Sequence, residues 1–185
     1  PTLSIGGILP SINGTTRIGD SDYFIAEACE YCDSFLKFYP FLEIILNIDA
    51  DHLDYFKDIN HIRRSFKAFA EQASPEGFII INSGIPDFGE IVKDAESKTV
   101  TYGSDPNKSD FYPENIVFDP NGYPAYDLCF KGGTLGRIEL RVPGDHNILN
   151  SLAAAAAAIC LGMDFDAVAE GLKAFHGTHR RFEFK

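Results

Sequence analysis

Two stretches of the sequence carry side chains of the kind that hold a divalent cation. The first is Glu27-Ala28-Cys29-Glu30, directly after the apolar run Tyr23-Phe24-Ile25-Ala26. The second is Asp49, Asp51, His52 and Asp54, at the end of the apolar run from Phe41 to Ile48. Carboxylate oxygens suit magnesium, and a neutral imidazole supplies a further ligand to magnesium or manganese. Spacing alone leaves other readings open. Glu27 also suits a solvated strand end or a helix N-cap, and Asp49, Asp51 and Asp54 suit turns and caps, where aspartate is common. His52 stands between acidic neighbours that favour its charged form unless a metal competes, and Asp51 could instead orient it from behind.

A second constellation is Pro143-Gly144-Asp145-His146-Asn147-Ile148-Leu149-Asn150. A helix starting near Asp145 places His146 and Asn150 four apart and Asn147 and Asn150 three apart, on one face of its first turns. Asparagine can offer both a donor and an acceptor to an adenine edge, and the alternative is helix capping beside a satisfied histidine. Near the end, Arg180 and Arg181 could clamp a phosphate or simply be solvated. Gly6-Gly7 is not a phosphate loop, and neither G-x-x-x-x-G-K-[ST] nor G-x-G-x-x-G occurs in the chain. There is no nucleophile elbow for Ser-His-Asp catalysis. Cys29 and Cys32 form a C-x-x-C with no second pair at zinc spacing, so the four cysteines read as reduced, partly buried thiols.

These groups need elements to position them. Tyr23 to Ala26, Phe41 to Ile48 and Phe78 to Ile81 are apolar runs, the second interrupted by Glu43 and ending at Asn47-Ile48-Asp49. They read as strands buried on two faces, as in a parallel sheet. Between them Ile59, Ile62, Phe66 and Phe69 recur at spacings of three and four, an amphipathic helix. Strand and helix alternation is the pattern of an α/β fold. From about 99 to 142 the pieces shorten: 99–102, 115–118, 126–130 and 137–142 read as an antiparallel β appendage. The stretch 145–161, with six alanines from Ala153 to Ala158 and Gly162 as its stop, reads as a helix. A last helix, capped by Asp164, presents Phe165, Val168, Leu172 and Phe175. The expected division is one domain over 1–175 and a polar connector over 176–185.

The 185 residues hold 16 Lys and Arg against 27 Asp and Glu, a net charge of -11, which repels nucleic acid and anionic membranes. A small phosphorylated ligand stays compatible, because a bound divalent metal overrides the mean field locally. No apolar run is long enough to span a bilayer, and a cytoplasmic location is expected. The first residue is Pro rather than Met, so the sequence is expected to begin inside a longer protein.

Taken in order, Glu27-Ala28-Cys29-Glu30-Tyr31 through Ser34-Phe35-Leu36, then Asn47 to Asp54, then Pro143 to Ala154, and the Phe175 to Glu183 tail, resemble the Mur ligase family. The resemblance implies a three-domain enzyme, of which this chain is the central ATP-binding domain after its phosphate loop. The implied activity joins L-alanine to UDP-N-acetylmuramate at the cost of ATP in peptidoglycan synthesis, through an acyl phosphate. Two alternatives are a recycling ligase that adds a tripeptide to the same sugar nucleotide and a non-catalytic nucleotide-binding module. Carried over residue by residue, Glu27 and His52 are the catalytic and metal positions for Mg²⁺ or Mn²⁺. His146, Asn147 and Asn150 match the segment that holds adenine, and Arg180 and Arg181 the hinge arginines near the phosphates. Many members have Asp where this chain has Cys29, so no role carries over to that residue.

Overall fold

The computed structural model describes residues 1–52 and 54–178. A hairpin of β1 (Thr2–Leu9) and β2 (Gly14–Arg17) opens the chain, and β3 (Phe24–Ala26) adds in parallel to β1, giving a sheet of order β2-β1-β3. The second sheet runs β4 (Leu42–Ile45), β5 (Phe78–Asn82), β6 (Lys98–Tyr102), β7 (Phe111–Phe118), β8 (Pro124–Phe130) and β9 (Gly133–Glu139), in that order. Strands β4 to β7 are parallel, and β8 and β9 continue antiparallel from β7. The α/β class stands. β6 corrects the expected appendage: its residues pair in parallel with β5 from Phe78↔Lys98 to Asn82↔Tyr102, so the antiparallel part is β7 to β9. A short strand between Gly and Pro punctuation looks the same in either setting, because pairing direction is not written in side-chain pattern.

Helices cover both faces of the larger sheet. α1 (Ile59–Ala70) and the short α2 (Gly89–Val92) lie on one side, where Ile62, Ala70 and Ile91 pack with Ile45, Ile79 and Ile81. On the other side α3 (Asp145–Cys160) and α4 (Phe165–Ala174) pack with Ile80, Tyr102, Phe111, Tyr126, Leu128 and Ile138. The alanines of α3 let its backbone lie close to the sheet, and Ala153, Ala155 and Ala156 are fully covered. Two caps follow the sequence reading, Asp164 accepting from Ala167 N at 2.9 Å and Gly162 taking φ +88° past the end of α3, and the structure adds Asp58 accepting from His61 N at 2.8 Å.

Of the three runs expected to be buried on both faces, only β5 is, with Ile79, Ile80 and Ile81 all at 0% exposure. β3 and β4 are edge strands of their sheets, and Phe24 and Ile25 stand 61% and 51% exposed while Ile44 stands 40% exposed. Position in the sheet, rather than composition, decides this. No helix among the described residues is long and apolar enough to cross a membrane.

Candidate functional site

Glu27 stands just beyond β3. Its backbone N–H donates to Ser4 O at 2.8 Å, continuing the pairing with β1, and its Oε2 accepts the N–H of Gly6 at 2.5 Å. A Cβ at Gly6 would lie 3.0 Å from Glu27 Oε2, so a side chain there would need the carboxylate to give by a few tenths of an ångström.

His52 follows β4 and takes φ +52°, a left-handed conformation that costs a non-glycine residue about 1 kcal/mol. Its carbonyl accepts from the N–H groups of Tyr55 and Phe56 at 2.9 Å, and its own N–H donates to Asp51 Oδ1 at 2.7 Å. Asp51 therefore holds the backbone of His52 rather than its ring. The ring lies 4.9 Å from that of Tyr31 between centroids, with Nε2 3.8 Å from Glu30 Oε1. Asp49 accepts Asp51 N–H on its carbonyl, and Asp54 accepts from Tyr31.

Among the described residues no three His, Cys, Asp or Glu side chains gather as a metal-holding group. The donor set nevertheless fits magnesium or manganese. Magnesium keeps most of its waters and takes one or two protein ligands beside substrate phosphates. The Glu27 carboxylate, held by the Gly6 N–H, and the His52 imidazole, in the loop after β4, are the donors available for that number.

Sequence reasoning missed the phenols that join these two loops. Tyr31 Oη donates to Asp54 Oδ2 at 3.0 Å, and Tyr55 Oη donates to Asp33 Oδ2 at 2.5 Å. Ser65 of α1 donates to the other oxygen of Asp33. The hydrogen bond to Asp54 raises the Tyr31 phenol above its ordinary value, and that to Asp33 raises Tyr55, so both remain donors. Partners more than twenty positions apart leave no periodic signal. Cys32 and Asp33 lie in the 3-10 segment Tyr31–Lys37, both with positive φ, 53° and 52°. That turn leaves Cys29 and Cys32 exposed, against the expected partial burial; Cys129 is buried, Cys160 half-buried, and all four are free.

At the carboxyl ends of β4, β5 and β6 lies a cavity of about 370 Å³, lined by Asn47, Asp49, Asn82, Ser83, Asp105, Lys108 and, from α3, Leu149. This is where an open parallel sheet places its ligands. Asn82 builds part of the wall, donating to Leu46 O at 3.0 Å and accepting from Gly84 N at 2.8 Å. Beside it the first turns of α3 carry His146 and Asn150, exposed, and Asn147, half-buried. Asn147 Nδ2 donates to Pro143 O at 2.8 Å, tying the first turn of α3 to the chain before it, and Asn150 Nδ2 donates to Asn147 Oδ1 at 3.4 Å. Gly144, at φ +97°, starts the helix; a Cβ there would come within 2.9 Å of the His146 ring. Arg180 and Arg181 lie outside the described residues, as does most of the expected connector.

Known proteins agree with this architecture. A UDP-N-acetylmuramate--L-alanine ligase of Agathobacter rectalis is 50% identical over 185 residues, all of this chain and 40% of that enzyme. The chain thus spans less than half the length of that ligase. The crystal structure of UDP-N-acetylmuramate-alanine ligase from Thermotoga maritima superposes with a TM-score of 0.83 at 27% identity, over 99% of this chain and 40% of that one. A UDP-N-acetylmuramate:L-alanyl-gamma-D-glutamyl-meso-diaminopimelate ligase from Neisseria gives 0.84 at 25% identity, over 97% and 59%. The family model of the Mur ligase middle domain matches residues 9–158, and with the parallel sheet, its flanking helices and the cavity at its strand ends this places the chain in the Mur ligase family.

Proposed function

We propose that the protein carrying this chain is an ATP-dependent ligase that joins L-alanine to UDP-N-acetylmuramate, and that the chain supplies part of its nucleotide and cation site. The observation that carries the reading is the 50% identity along the whole of residues 1–185 to an enzyme of that name. The carboxylate of the sugar nucleotide attacks the terminal phosphorus of ATP, the bond from that phosphorus to the bridging oxygen breaks, and an acyl phosphate and ADP result. The amine of alanine then attacks the activated carbonyl and phosphate leaves. Both partners in the first step are anions. Magnesium or manganese, when bound, neutralises charge between them. Glu27 and His52 would hold it. Asn150 and Asn147 would face the adenine edge with His146 beside them, and Arg180 and Arg181 would meet the phosphates.

The complete protein should release phosphate from ATP only when UDP-N-acetylmuramate, L-alanine and a divalent cation are all present. The fold similarity to the tripeptide ligase favours one competing reading, recycling of a preformed peptide. Offering L-alanine and the tripeptide L-alanyl-γ-D-glutamyl-meso-diaminopimelate in competition separates them: product with the tripeptide alone would replace the first reading with the second.

A further inference from the structure

Glu27 and His52 lie beyond strands of two different sheets. β3 ends the order β2-β1-β3 and β4 begins the order β4 to β9, so no strand ladder holds the two loops at a set distance among the described residues. Side chains do this instead, and they do it reciprocally. Tyr31 of the first loop reaches Asp54 of the second at 3.0 Å, while Tyr55 of the second reaches Asp33 of the first at 2.5 Å. The two rings stand edge to face, 6.1 Å between centroids at 67°. Ser65 ties the first loop to α1 through the other oxygen of Asp33. Consecutive left-handed residues at Cys32 and Asp33 are costly, and such backbone persists where surrounding bonds over-determine it.

We propose that this double clasp, Tyr31 to Asp54 and Tyr55 to Asp33, is the positioning device that sets Glu27 against His52 so that both reach one divalent cation. The inference rests on the cation reading above. Tyr31, Asp33, Asp54 and Tyr55 are positioning residues in it. A tyrosine suits the task because its hydroxyl sits at the end of a rigid ring with only two rotatable bonds.

The test uses Tyr31→Phe and Tyr55→Phe in the complete protein, which delete one oxygen each. Two readouts are needed: Mn²⁺ binding by electron paramagnetic resonance, and amide hydrogen exchange without metal. Each variant should weaken Mn²⁺ about fivefold, the loss expected for one hydrogen bond. Each should also speed exchange in both loops, 28–35 and 49–56, with the thermal midpoint unchanged. Unchanged Mn²⁺ binding in both variants, with clear loss in Glu27→Gln, overturns the clasp and leaves the cation site standing. Full Mn²⁺ binding in both Glu27→Gln and His52→Ala overturns the cation reading itself. A fall in affinity that merely follows a fall in thermal midpoint would make the phenols general stabilisers and also overturn the proposal.

Discussion

Glu43 shows how one residue can load a fold with pH dependence. It sits on β4 at 3% exposure, on the same face as Ile45, and neither carboxylate oxygen has a partner among the described residues. Burial pushes its carboxyl up to about 8 from an ordinary 4.5. Between these values the folded chain keeps a proton that the unfolded chain has released, so stability falls as pH rises from about 4.5 to about 8 and then levels. The slope approaches about 1.4 kcal/mol per pH unit. Glu43→Gln should therefore flatten the change in urea midpoint between pH 5 and pH 8; an undiminished slope would assign the effect elsewhere. In the sequence Glu43 is only a break in an apolar run, because its burial comes from what covers β4. Glu27 and His52 were legible as strand-end donors, whereas Tyr31 and Tyr55 were not, since nothing local marks a phenol that bonds across two loops.

At the scale of elements, local rules and neighbours divide the work. Helix α1 has its apolar face in the sequence, and the structure adds its cap, Asp58 accepting from His61 N. Asp58→Ala should cost about 1 kcal/mol and lower the thermal midpoint by about 3 °C, measured by circular dichroism. An unshifted midpoint would mean the cap is replaced by water at no loss. Both ends of α3 were equally readable from Gly144, Asp145 and Gly162. The strands were less so: β1 and β2 passed unread because Gly6, Gly7 and Gly14 dilute their alternation, and β6 was read into the wrong part of the sheet. Partner choice for a five-residue strand depends on backbone groups common to all residues, so side-chain pattern cannot name the neighbour.

For the whole molecule, the net charge of -11 and the lack of any phosphate-loop motif bear on the same measurement. The 185-residue chain by itself should show no micromolar ATP binding by calorimetry, because neither a glycine-rich amide cradle nor its lysine is present to meet the phosphates. Micromolar binding would locate the phosphate contacts within this chain. What the sequence determined by itself was the class of fold, most helices, and the residue types able to bind a cation: periodicity, caps and side-chain chemistry are local properties. Only the tertiary structure decided that β6 belongs to the parallel core, that β3 and β4 are edges with exposed apolar faces, and that Glu43 is buried. It also decided that Asp51 holds a backbone while Asp33 and Asp54 receive phenols from the opposite loop. Those outcomes depend on which distant segments meet, and that is set by how the sheets and helices pack rather than by any neighbouring residue.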